Sequence, residues 1–175
     1  MCIRDSASDS AVKFEYNFQD DEGDAETAVN AYNNLKDWGM QVLMGTVTTA
    51  PCLAVISETE ADNMFQITPS ASSTDVIVPD NVFQVCFTDP SQGVSAADYI
   101  AENGLATKIA AIYDSSDAYS SGIYNAFAEE AEAKGLEIVC AEAFTSDNKT
   151  DFKTQLQKAQ SSGAELVFLP IYYTE

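Results

Sequence analysis

The stretch from Lys108 to Ala141, KIAAIYDSSDAYSSGIYNAFAEEAEAKGLEIVCA, decides the fold. Lys108 to Tyr113 is a short apolar run closed by the turn residues Asp114-Ser115-Ser116-Asp117, which reads as a buried strand. A helix follows from about Ser120 to Lys134, and Gly135 supplies its stop. Glu137 to Ala141 is the next strand. Strands joined through a helix of this length run parallel, with a right-handed crossover.

The same alternation extends outward in both directions. Toward the C-terminus, Asp151 to Ser161 reads as a helix ended by Gly163, and Leu166 to Leu169 as a last strand. Toward the N-terminus, Ser91 to Asn103 is a helix stopped by Gly104, preceded by strands at Val82 to Phe87 and Met64 to Ile67. Between the latter strand and another short one at Gln41 to Met44, the Thr46–Pro51 loop opens a helix that runs to about Ala61. Before it, Ala28, Val29, Tyr32 and Leu35 recur at helical spacing behind a candidate N-cap, Asp24. Val12, Phe14, Tyr16 and Phe18 alternate with polar residues, which predicts a strand with one wet face near a sheet edge. The fold class is therefore α/β, with doubly wound parallel sheets covered on both faces.

Composition excludes more than it assigns. With 28 acidic against 8 basic residues the formal net charge is -20, and such a surface repels nucleic-acid phosphates. Histidine is absent, which removes the commonest general base and metal ligand. Cys2, Cys52, Cys86 and Cys140 lie far apart without a C-x-x-C pair, so no zinc site is expected; the last three sit among apolar neighbours and read as core. The Asp20-Asp21-Glu22-Gly23-Asp24 cluster lacks calcium-loop spacing and reads as a solvated turn. Neither a nucleophile elbow, a phosphate-binding loop nor a dinucleotide fingerprint is present. No metal or cofactor is called for. The strongest enzyme alternative is an α/β hydrolase or transferase using the Asp114–Asp117 region.

Both ends read as cut. Met1 to Ser6 resembles translated adapter sequence, and residues 1–11 are expected to be a non-native or disordered leader. Cys2 has no apolar segment before it and is not a lipidation-site cysteine.

In open α/β sheets ligands bind beyond the carboxyl ends of the strands, where helices begin. There the chain puts Gly45-Thr46-Val47-Thr48-Thr49-Ala50-Pro51, a glycine-led, hydroxyl-rich loop suited to a carboxylate. Thr48 or Thr49 would equally serve as an ordinary N-cap. After the next strand, Thr68-Pro69-Ser70-Ala71-Ser72-Ser73-Thr74 offers donors and acceptors for an ammonium or amide, or is merely a polar loop. Tyr119 follows the Lys108–Tyr113 strand, and Tyr172 and Tyr173 follow the last one; they would wall a ligand mouth or cap a core.

In order and spacing, these pieces resemble the type I periplasmic binding proteins of the leucine/isoleucine/valine-binding family. The resemblance rests on Asp20-Asp21-Glu22-Gly23-Asp24, Val42-Leu43-Met44-Gly45 with its threonine loop, and Ile67-Thr68-Pro69-Ser70-Ala71-Ser72. Val85-Cys86-Phe87-Thr88-Asp89-Pro90-Ser91-Gln92-Gly93, Ile109-Ala110-Ala111-Ile112-Tyr113-Asp114 with Tyr119, and Tyr172-Tyr173 complete it. It implies two lobes that close on a ligand, the first at residues 12–104 and lacking its first strand, the second partial at 105–175, with a crossover near Gly104 to Thr107. By position Thr49 matches the hydroxyl on the ligand carboxylate, Ser70 the backbone carbonyl receiving the ammonium, and Ser72 the hydroxyl touching both groups. Thr48 and Ala71 stand beside them, and Tyr119 and Tyr172 match aromatics that close from the second lobe. The family usually has glycine where Ser120 stands.

The function so implied is that of an extracytoplasmic solute-binding protein of an ABC importer. It would be a monomer, periplasmic or lipid-anchored, partnered by a membrane permease and binding an amino acid or similar solute. A sensor domain of the same fold, or a binder of amides or urea, is the alternative.

Overall fold

A computed structural model describes residues 14–173. Two three-stranded sheets form. The first holds β1 (Val42–Met44), β2 (Phe65–Thr68) and β3 (Val82–Gln84) in that order. The second holds β4 (Lys108–Asp114) between β5 (Glu137–Phe144) and β6 (Leu166–Phe168). Every pairing is parallel, as strand–helix alternation demands. The connecting helices are α1 (Ala25–Trp38), α2 (Thr49–Ala61), α3 (Asp89–Glu102), α4 (Ala118–Ala133) and α5 (Lys153–Ser161).

Local chemistry sets the helix ends. The Asp24 carboxylate accepts the Thr27 N–H at 2.8 Å, and α1 ends at Gly39, whose φ of 103° favours glycine. The buried stripe Ala28, Tyr32 and Leu35 packs on Leu43 and Val55, joining α1, β1 and α2 in one core. The second core gathers Ile109, Phe127, Ala131 and Leu136, with the Phe127 ring stacked on Phe168 at 3.9 Å between centroids.

Three expectations are corrected. The proposed boundary after Gly104 assigned α3 to the first lobe, yet Ala97 and Ile100 of α3 lie in the second core beside Ile109 and Phe127. α3 also meets α4 so closely that a Cβ on Gly93 would fall 2.4 Å from the Ile123 carbonyl oxygen. Its packing unit is therefore the second sheet, and the chain changes sheets ahead of α3.

The strand expected at Val12 to Gln19 is not formed over residues 14–19; Val12 and Lys13 lie outside the described residues. Phe14, Tyr16 and Phe18 are exposed. Alternation alone makes no strand, because its backbone groups need a neighbouring ladder. Nor are all three cysteines core: Cys52 is buried, while Cys86 and Cys140 are half-buried.

Double winding is full in the second sheet, where β4 buries consecutive residues Ile109, Ala110, Ala111 and Ile112 and so has both faces covered. In the first sheet α1 and α2 cover the face carrying Leu43 and Gln66. On the opposite face Val42, Met44, Phe65 and Phe83 are exposed among the described residues. The 3-10 turn Thr74–Ile77 interrupts the polar loop after β2, with the Ser73 hydroxyl accepting the Asp75 N–H at 3.2 Å.

Candidate ligand site

β1 delivers the chain through residues 45–48 into α2. The side chains of Asp24, Thr88 and Asp117 cap α1, α3 and α4, but Thr48, at the N-cap of α2, makes no side-chain capping bond. The N–H groups of Thr49 and Ala50 thus keep the unsatisfied donors and positive dipole end of an open helix start, Pro51 having none and Cys52 bonding the Thr48 carbonyl. Thr49 is buried, and its Oγ1 has no hydrogen-bond partner. A buried unsatisfied hydroxyl costs about 1–3 kcal/mol, which a bound acceptor would offset. Ordinary capping, the plainer expectation for Thr48 and Thr49, is not what these side chains do.

The loop after β2 is pinned from several sides. The Gln84 amide donates to the Ala71 carbonyl at 2.5 Å, and the Asp89 N–H to the Ser72 carbonyl at 2.8 Å. Ala71, Ser72 and Ser73 are buried, whereas Ser70 is exposed at the loop's turn. Buried loop backbone is tolerated here because its carbonyls are taken up in this way.

At the second sheet, Tyr119 and Tyr172 stack with centroids 4.8 Å apart and planes 19° from parallel. Tyr173 is 99% exposed and takes no part in that stack. Asp114 and Asp117, the carboxylates of the enzyme alternative, are occupied as turn and cap acceptors. Asp114 Oδ1 accepts the Ser116 N–H at 2.8 Å and its hydroxyl at 2.6 Å, and Asp117 accepts the Ser120 N–H at 3.1 Å.

The residue sequence reading missed is Asp89. It is buried at the first turn of α3, and its Oδ2 has no partner. Burial pushes its carboxyl up to about 6, against the pull of the Ser72 hydroxyl and with a further push from the Asp117 charge. Burial also raises the Tyr119 phenol, helped by the charges of Asp89 and Asp117. Thr88-Asp89-Pro90 reads in sequence as an ordinary helix start, an acid at N1 behind a threonine cap, so nothing marked it. Gly122 of α4 makes room for it: a Cβ there would lie 3.3 Å from Oδ2.

Contacts link Ala71, Ser72, Tyr119 and Tyr172 of the candidates through Thr68 and Asp89, while Thr48, Thr49 and Ser70 make no side-chain bond to them. The Thr46 carbonyl meets Thr68, Thr68 meets Ala71, Ser72 meets Asp89, Asp89 acts on Tyr119, and Tyr119 stacks on Tyr172. A polar cavity of about 230 Å³ lined by Ser73, Asp75, Asp89, Ala118 and Gly122 lies between the 3-10 turn after β2 and the first turns of α3 and α4. A larger hollow, about 390 Å³, sits at the opposite end of the first sheet beside Phe65 and Phe83, away from every candidate residue. Among the described residues no cluster of three or more metal-ligating side chains occurs.

A parallel α/β chain with hydroxyl-rich loops at its strand ends is an architecture that solute-binding lobes share with many other proteins. Residues 10–172 match the family model described as periplasmic binding protein, and the chain belongs to that family. It is 31% identical over 160 residues to Leu/Ile/Val-binding protein homolog 3 of Brucella melitensis, covering 90% of this chain and 43% of that protein. A leucine-binding protein, LivK of Thermotoga maritima, superposes with a TM-score of 0.79 at 26% identity over 86% of this chain and 43% of its own. The branched-chain amino acid transporter substrate binding protein LivJ of Streptococcus pneumoniae, solved with isoleucine, gives 0.81 at 25% identity over 89% and 44%. The leucine/isoleucine/valine-binding resemblance and the α/β fold are thereby borne out. The chain spans less than half the length of these relatives.

Proposed function

We propose that the intact protein is an extracytoplasmic solute-binding protein of an ABC importer that takes up an amino acid, branched-chain or similar. The carrying observation is the open start of α2, where Thr48 caps nothing and the buried Thr49 hydroxyl has no partner. An acceptor oxygen placed there satisfies the hydroxyl and the first N–H groups of the helix together, and a carboxylate does so with charge assistance. In this reading Ser70 offers its carbonyl to the ammonium, Ala71 and Ser72 line the loop, and Tyr119 and Tyr172 close over the side chain. The first lobe ends near residue 87, and the second begins with α3. Ligand is held and released without chemistry by a monomer that passes it to a membrane permease. Relatives named for leucine, isoleucine and valine support the ligand class.

The test is calorimetric titration of the intact protein with L-leucine, L-isoleucine and L-leucinamide. Uptake of the two acids with at least tenfold weaker binding of the amide is expected, since the amide lacks the anionic group. Equal affinity for leucinamide would remove the carboxylate from the site. Uptake of acetamide or urea with no response to amino acids would make the protein an amide binder. The sensor alternative predicts a signalling segment on the intact chain.

A further inference from the structure

Two side chains outside the candidate set hold the loop that the ligand reading depends on. Gln66 and Thr68 lie two apart on β2, on the face turned toward α2, and both are fully buried. Gln66 Nε2 donates to the Gly45 carbonyl at 2.8 Å, while its Oε1 accepts the Thr59 hydroxyl at 2.8 Å, which fixes the amide's orientation. Thr68 Oγ1 donates to the Thr46 carbonyl at 2.7 Å and accepts the Ala71 N–H at 3.0 Å. Two consecutive carbonyls of residues 45–48 are thus drawn onto β2. A trans peptide sets its C=O and N–H on opposite sides, so the Thr46 carbonyl bound to Thr68 turns the Val47 N–H away from the strand.

We infer that Gln66 and Thr68 are the positioning residues of the carboxylate subsite. They set the loop ahead of Thr48 and Thr49, and Thr68 couples it through one hydroxyl to the loop carrying Ser70, Ala71 and Ser72. Neither residue touches the ligand. A buried glutamine with its oxygen and nitrogen both committed is a costly choice for a β-strand core, and an apolar side chain would pack there without holding Gly45. This inference rests on the ligand reading above and gives it a mechanism: the loops move as one unit.

The experiment compares the intact protein with Gln66→Met, Thr68→Val and Thr68→Ser, measuring L-leucine affinity per folded molecule and, separately, the ligand-free melting temperature. Thr68→Val and Gln66→Met are expected to weaken L-leucine binding about tenfold or more, and Thr68→Ser, which keeps the hydroxyl, to stay within about threefold. A drop in melting temperature with unchanged affinity of the folded fraction would reduce both residues to structural roles and overturn the inference. If the unaltered protein takes up no amino acid, the ligand reading fails, and the part of the inference that stands without it, that Gln66 and Thr68 set the loop ahead of Thr48, is read from amide spectra without ligand. Val47 and Thr48 resonances that shift in Thr68→Val and return in Thr68→Ser support it; unmoved resonances overturn it.

Discussion

The Ser120 hydroxyl donates a 2.6 Å hydrogen bond to the Pro170 carbonyl, fastening the first turn of α4 to the segment that carries Tyr172. The same oxygen accepts the Asp114 N–H at 2.8 Å, so one buried atom ties the end of β4 and the segment after β6 to the start of α4. The family's usual glycine would leave both groups buried and unpaired. Ser120→Ala is expected to cost about 1–3 kcal/mol in urea denaturation. Ser120→Gly should cost up to about 1 kcal/mol more, for its poorer helix propensity. A change within about 0.5 kcal/mol for Ser120→Ala would mean that water replaces the hydroxyl.

Asp89 makes stability depend on pH in a direction opposite to most acids. Its carboxyl rises from 3.8 to about 6, chiefly by burial, with Asp117 adding charge repulsion and the Ser72 hydroxyl acting against both. Between those values the folded protein keeps a proton that the unfolded chain releases. Its contribution therefore declines as pH rises from about 4 to about 6 and is constant above that. The shift corresponds to roughly 3 kcal/mol at most. Asp89→Asn should unfold at higher urea than the parent at pH 7.5, and the gap should close toward pH 4. Because Asp24, Asp62 and Glu165 are held low by their hydrogen bonds, the variant is compared with its parent at each pH. A gap independent of pH would sink the assignment.

The placement of α3 in the second core has its own test. At Gly93 a Cβ would meet the Ile123 carbonyl oxygen at 2.4 Å and the Phe127 nitrogen at 2.6 Å, both backbone atoms that cannot swing aside. Alanine is the better helix former by about 1 kcal/mol, so a helix facing solvent would gain from the substitution. Here Gly93→Ala is expected to lose about 2 kcal/mol or more, because the two helices must move apart. Gly122→Ala, whose nearest contact is the Asp89 side chain at 3.2 Å, should lose less. Stabilisation by Gly93→Ala would place α3 elsewhere.

What was legible in the sequence was whatever one segment decides for itself. Gly104, Gly135 and Gly163 mark helix ends because the backbone there is left-handed, with φ of 58°, 73° and 77°. The loops at the strand ends were found because helix starts follow parallel strands. Partnership was not legible. Residues 14–19 alternate like a strand, but a strand is completed by a neighbour. Ala97 and Ile100 give α3 an apolar stripe without naming the sheet it covers. Asp89 and Gln66 escaped because a helix-start acid and a lone glutamine are unremarkable until burial is known, and burial belongs to the fold.

The bare face of the first sheet governs how this chain behaves in solution. Phe65 and Phe83 stack at 5.2 Å between centroids, with Val42 and Met44 exposed beside them, on the side that α1 and α2 leave uncovered. Contiguous apolar surface of this kind drives association, and among the described residues β1 presents an edge beside it. The net charge of -20 opposes association by repulsion. Salt screens that repulsion, with a Debye length falling from about 10 Å at 0.1 M to about 3 Å at 1 M. The 175-residue chain by itself is therefore expected to bind ANS strongly and to scatter more light as sodium chloride rises. Phe83→Thr with Val42→Thr should reduce both signals while leaving the second core intact. Weak ANS binding together with salt-independent monodispersity would mean that the face is covered in solution.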